Sequence, residues 1–223
     1  MKLNEKQLQK VKDYLKNKDV EYIDLHFEVL DHIASDIETK METSKLDFET
    51  AFEKVKEKWN KNFTYKWSFW LGLTNGGSKL FIDHCLRIYK PILIKILLIN
   101  ILFSLAIYSI NELGYFNFSK YNSIINHFYT AFALFFIGLC TLWYFKIKNS
   151  KIKTSYRYLF NKQVYTNIYT AGYILINSLI PPKDFNIYQV IFFSIALTIL
   201  ITGFELYKKH FKVVSKHKKY QLL

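Results

Sequence analysis

The side chains best suited to chemistry in the first part of the chain are His26, Glu28, Asp31 and His32, four groups within seven residues that can ligate or exchange protons. Carboxylates and imidazoles about one helical turn apart can share a metal ion. A di-metal site in a helical bundle, however, takes Glu-x-x-His pairs from two helices. Here Glu28 and His32 are four apart with no second pair, so no metal site is expected. His84 and Cys85 lie far along the chain, and no spacing ties them to this group. There is no Gly-rich phosphate loop, no G-x-S-x-G and no H-E-x-x-H, motifs whose geometry carries phosphate, acyl and zinc chemistry. The expectation is a protein that is not an enzyme and carries no cofactor.

A second set of polar side chains, Asn100, Asn167, Asn177 and Glu205, is scattered through the apolar part of the chain. In lipid an amide can glue helices together or line a path for solute. Packing is the ordinary role, since a conduction path usually shows carboxylates or a broken helix at mid-depth. Glu205, where an apolar run meets a basic tail, is expected to pair with a lysine of that tail or of the middle loop.

The elements that must position these residues fall into two contrasting halves. Residues 1–90 carry 16 Lys or Arg against 15 Asp or Glu, while residues 91–223 carry 15 against 3, so the net charge of +13 divides as +1 and +12. The excess sits in short segments between apolar runs, which points to membrane topology and anionic headgroups. Only Arg87 and Arg157 are arginines, so bidentate phosphate recognition is poorly supplied and no direct nucleic-acid partner is expected. Cys85 and Cys140 are too far apart to suggest a disulfide framework or a zinc knuckle.

A hydrocarbon core of about 30 Å takes roughly 20 apolar residues in a helix. Four stretches qualify, at about residues 91–110, 127–145, 164–180 and 187–207. Pro91 suits a first helical turn, where a missing N–H costs nothing. Lys95, about 6 Å inside the first stretch, can carry its ammonium back to the headgroups. Trp143, Tyr144 and Phe145 followed by Lys146 form an aromatic belt beside a cationic stop. The third stretch is the most polar and is closed by Pro181 and Pro182. Twelve cations fall in the middle loop and the tail, against one each in the connections around Lys120 and Lys183. Cations resist translocation, so the middle loop and both termini are expected in the cytoplasm. The N-terminus has no apolar core of the signal-peptide kind, which agrees.

Residues 1–59 read as three short helices. Asn4 can cap the first, which carries Leu8, Val11 and Leu15, and Asp47 the third, which carries Phe48, Phe52, Val55 and Trp59. The second shows an apolar seam at Val20, Ile23, Phe27, Leu30, Ala34, Ile37 and Met41. Beside it runs an acidic stripe of Asp24, Glu28, Asp31, Glu38 and Glu42. It reads either as a solvated face or as a docking face for a basic partner, the chain's own middle loop or tail among them. Residues 60–90 crowd Phe63, Tyr65, Trp67, Phe69 and Trp70 ahead of Asn75, Gly76, Gly77 and Ser78, an interfacial linker expected along the inner leaflet. A helix then leads from 79 to 90 into the first span, and residues 208–223 form a basic cytoplasmic tail. The fold class expected is all-α, a small three-helix cytoplasmic domain followed by a four-helix transmembrane bundle.

The pattern Glu28-x-x-Asp31-His32, followed by Phe48, Ala51, Phe52 and Val55, resembles the HTH-associated α-helical signalling domain over residues 3–59. Such domains are commonly fused to multi-pass membrane regions in bacteria, often beside PadR-like regulators, and relay signals by protein contact. The resemblance implies a multi-pass protein of the bacterial inner membrane that contacts a cytoplasmic partner such as a PadR-like regulator, and together with the acidic stripe it makes Asp24, Glu28, Asp31, His32 and Glu38 the expected partner-binding residues. It highlights Glu28, Asp31 and His32. The partners expected are thus the lipid bilayer and a cytoplasmic protein, with a homo-oligomer left open. The alternative function is a small transporter or channel component using the Asn-bearing spans.

Overall fold

The first helix, α1 (Glu5–Asn17), starts where the chain can satisfy its own first amides: Asn4 accepts from the Gln7 N–H at 2.9 Å and the Gln7 side chain accepts from the Asn4 N–H at 2.9 Å, a complete capping box. The structure, a computed structural model, describes residues 2–71, 76–116, 118–179 and 186–221, the side chains of 178–179 and 218–221 excepted. The described chain is all-α with one small hairpin, and it divides into two units: residues 1–88 with 152–155, and the remainder.

In the first unit, α2 (Ile23–Ser44) follows α1 and stops at Lys45, which turns into the left-handed region at φ 49°. Asp47 then caps α3 (Phe48–Asn60) by accepting from the Thr50 N–H at 3.3 Å. Val11 and Leu15 of α1 and Phe48, Phe52 and Val55 of α3 are buried as their spacing predicts. On α2 the buried face is Leu25, Val29, Leu30, Ile33 and Ile37, while Phe27 stays 43 % exposed. Of the expected seam, Val20, Leu30 and Ile37 are buried and Phe27 is not. Two apolar rows overlap on this helix, both at helical spacing, and packing against α1 and α3 selects the row of 25, 29, 33 and 37.

The linker expected between the two halves contains a small hairpin. β1 (Tyr65–Trp67) pairs antiparallel with β2 (Gly76–Ser78), Lys66 opposite Gly77. The glycines supply a partner strand with no side chain to resist the Tyr65 ring lying over Gly76. Asn75, just ahead of β2, lies outside the described residues. Lys66 pairs with Asp83 and Tyr22 stacks on Phe81 at 4.2 Å between ring centroids, tying the hairpin and α2 to the start of α4 (Lys79–Glu112).

Helix α4 is continuous, so Pro91 sits inside it and not in its first turn. Its ring removes the amide that would bond the carbonyl of Arg87, and the boundary between the two units falls close by, at Ile88 and Tyr89. The second unit holds the rest of α4 with α5 (Asn122–Asn149), α6 (Ser155–Leu179) and α7 (Ile187–Gln221). Phe136, Ala133, Ile174 and Ala196 centre its apolar core. Among the described residues, Lys79–Glu112, Phe118–Asn149 and Ile187–His217 are long and apolar enough to cross a membrane. Helix α6 is not one of these three. It covers the expected third stretch as far as Leu179 and carries Gln163, Thr166, Asn167 and Thr170, while Ile180, Pro181, Pro182 and Lys183 lie outside the described residues. Helix α7 runs on through the expected tail, so the lysines there ride on a helix. Its apolar window is 39 % buried against 6 % and 17 % for the other two.

Candidate functional site

Asp24, in the first turn of α2, is where its helix dipole favours an acid. Its Oδ1 accepts the Ser155 N–H at 2.9 Å, and so caps the first residue of α6 from another helix. Next to it the Ile23 N–H donates to the Lys153 carbonyl at 3.0 Å, and Lys153 pairs with Glu21. A segment of the middle loop, residues 152–155, therefore lies against the N-terminus of α2.

His84, on the first part of α4, completes the group. Its Nε2 is 3.6 Å from Asp24 Oδ2 and its Nδ1 is 3.3 Å from Glu28 Oε2, with the His84 and Asp24 side chains only 12 % and 10 % exposed. No hydrogen bond joins these atoms, so the contacts are ion pairs that form when the imidazole carries its second proton. Arg87, one turn further on, donates to Glu28 at 3.3 Å. Burial pushes the Asp24 carboxyl up, but the His84 contact and the Ser155 N–H pull harder, and it ends below the ordinary carboxylate value. Cys85 is buried beside this group. The arrangement is an alternating row of acid, imidazole, acid and guanidinium that locks α4 to α2. Among the described residues no group of three or more His, Cys, Asp or Glu is placed to hold a metal ion.

The five partner-binding candidates thus have unlike surroundings. Asp24 and Glu28 are engaged with His84, Arg87 and the loop. Glu38 accepts the Leu3 N–H at 2.9 Å. Asp31 and His32 are exposed, and Phe27, Asp31 and Ser35, at steps of four, form one exposed row. Asp36, outside the expected stripe, accepts from Trp59 Nε1 at 2.9 Å and from Lys58 at 2.8 Å. Burial raises its carboxyl, and these donors bring it below the ordinary value. His26 contacts the Val20 carbonyl at 3.3 Å and stands apart from the group it was read with.

In the second unit the intramembrane candidates also separate. Asn100 donates to Thr198 Oγ1 at 3.3 Å and accepts from Ser194, so α4 is joined to α7. Asn177 bonds the Tyr173 carbonyl of its own helix at 2.9 Å. Asn167 is buried, with its Oδ1 lacking a hydrogen-bond partner. Glu205 is exposed and lines a cleft with Lys95. What sequence reasoning missed is the row on α7. Gln189 meets Asn126 of α5 at 3.2 Å, Thr202 meets Gln163 of α6 at 3.0 Å, and His210 meets Ser150 at 2.9 Å. Asn100 of α4 and Gln163 of α6 meet hydroxyls of α7, and Asn126 of α5 meets its Gln189 amide. The signal was present as Ser194, Thr198 and Thr202 at steps of four, but short polar residues on an apolar helix read as neutral until their partners are known.

No protein-family profile, no curated protein and no solved structure matches the chain.

Proposed function

We propose that the chain is a membrane-anchored signalling or regulatory protein whose N-terminal helical unit captures a cytoplasmic protein through the exposed row of α2. The observation that carries this reading is the division of the acidic stripe: Asp24 and Glu28 are committed to His84, Arg87 and the loop, whereas Asp31 and His32 remain exposed beside Phe27. An acidic side chain next to an exposed ring suits a partner that brings a cation and an apolar side chain together, because complementary charge steers association and the ring supplies buried area. The resemblance over residues 3–59 points to a PadR-like regulator as such a partner. A photocrosslinking residue at Ser35 in the full chain is expected to capture one cytoplasmic protein in cells. Asp31→Lys should reduce that capture at least tenfold, and equal capture by the variant would remove the stripe from the reading.

The membrane half is proposed to cross the inner membrane four times, with α6 as the third span and both termini in the cytoplasm. The charge distribution supports this topology. So does the cleft shared by Lys95, near the start of the first span, and Glu205, near the end of the last, since an even number of spans brings those ends to one face. In a chain with both native cysteines changed to serine, Lys148→Cys is expected to react with an impermeant maleimide only after the cell membrane is opened. Lys120→Cys should react in intact spheroplasts. The reverse pattern would invert the topology.

A further inference from the structure

The cleft between α4 and α7 brings together two opposite charges that the hydrogen bonding of the second unit does not engage. It is lined by Pro91, Lys95 and Ile99 from α4 and by Thr198, Thr202 and Glu205 from α7, with a volume of about 220 Å³. The two threonines are already satisfied. Thr198 and Thr202 donate to carbonyls of their own helix at 2.8–3.2 Å, and they accept from Asn100 and Gln163. Lys95 and Glu205 are both exposed on the bundle surface, and neither makes an ion pair or hydrogen bond with a described residue. Lys208 and Lys209, one turn beyond Glu205, leave it unpaired as well; Lys208 lies over the Phe204 ring.

An unpaired charge at the edge of the hydrocarbon is costly, and each of these two requires a counter-charge from the surroundings. We propose that the cleft is a binding site for the headgroup of a zwitterionic aminophospholipid, with its phosphate on Lys95 and its primary ammonium on Glu205. The chemistry of the two walls selects this class. A purely anionic headgroup would be opposed by Glu205, and a free cation by Lys95. A quaternary ammonium has no N–H to donate to the carboxylate, whereas a primary one has three, and hydrogen bonds between charged groups are the strong ones. The volume falls below the range typical of drug-sized ligand pockets and suits a headgroup, with Ile99 and Ile201 left to meet acyl chains. The site rests on α4 and α7 crossing the membrane, and it adds a lipid ligand that the protein-capture reading does not require.

The test uses the full chain, purified in detergent, stripped of lipid, and titrated separately with phosphatidylethanolamine, phosphatidylcholine and phosphatidylglycerol under native mass spectrometry. The ethanolamine lipid is expected to be retained about tenfold better than the other two, the equivalent of one charge-assisted hydrogen bond. Lys95→Gln and Glu205→Gln should each bring its retention down to the level of the other lipids. Equal retention of all three by the wild-type chain, or an ethanolamine preference untouched by both substitutions, overturns the site. If Lys95 and Glu205 instead serve each other, their single and double substitutions will be non-additive in Tm in lipid-free detergent, which also overturns it. A chain that stays monodisperse with no detergent at all would defeat the membrane reading itself, a result distinct from any of these.

Discussion

Ile33→Ala is expected to raise amide exchange throughout α1, α2 and α3 about a hundredfold, with exchange in α5 and α7 unchanged. Ile33 has no exposed surface, and truncating such a side chain to alanine costs about 3 kcal/mol in lost burial and residual cavity. That is about a hundredfold in an opening equilibrium, and a large part of what a small helical unit has to lose. The control is Phe27→Ala. Phe27 has more atoms than Ile33 and belongs to the row that spacing favours, yet it is 43 % exposed, so its loss should change exchange less than threefold. Hydrogen exchange of the full chain in detergent, read by mass spectrometry, measures both. Equal effects from the two variants would mean that the buried row of α2 is not the one at 25, 29, 33 and 37.

Asp24→Asn is expected to destabilise the first unit by about 2 kcal/mol at neutral pH, the scale for taking the charge from a mostly buried carboxylate that accepts a backbone N–H. The asparagine can still accept from Ser155 but no longer faces His84 with a charge. The sign of the pH dependence follows from the carboxyl being held below its ordinary value. A carboxylate of that kind stabilises fully above its unfolded value, near 3.8, and the stabilisation is lost as pH falls through the lower folded value. The wild-type chain should therefore lose exchange protection in α2 as the medium is acidified below that point, and the difference from Asp24→Asn should shrink along the same limb. Asp36 and Asp47 are also held low, so both proteins will share a background of acid destabilisation, and the difference curve isolates Asp24. Parallel curves from neutral pH to acid would show that the Asp24 contacts contribute nothing to folding.

The residues that could be read directly are those whose role is local. Asn4 and Asp47 begin helices because their side chains reach amides three residues on, a relation within a single turn. The long apolar stretches are legible from length and composition, and three of them stand in the structure as helices long and apolar enough to cross a membrane. Helix α6 shows where that approach weakens. Its amides and hydroxyls lower its apolar character, and their value depends on a neighbour such as Thr202, which lies 39 positions away from Gln163. The hairpin at Tyr65 and Gly76 was hidden for a related reason: three-residue strands have too few positions to express a period.

The helical character of the chain, the division into a near-neutral half and a cationic apolar half, and the capped starts of α1 and α3 all follow from composition and spacing, because propensity, charge and periodicity act over one or two turns. The buried row of α2, the meeting of His84 with Asp24 and Glu28, the docking of residues 152–155, and the selection of α7 as the helix to which the others are keyed were decided only in three dimensions. Asp24 and Ser155 are 131 positions apart, and Asn100 and Thr198 are 98 apart. Pairings at that range depend on which faces the packed helices turn toward each other, and several choices of face satisfy the same local pattern equally well.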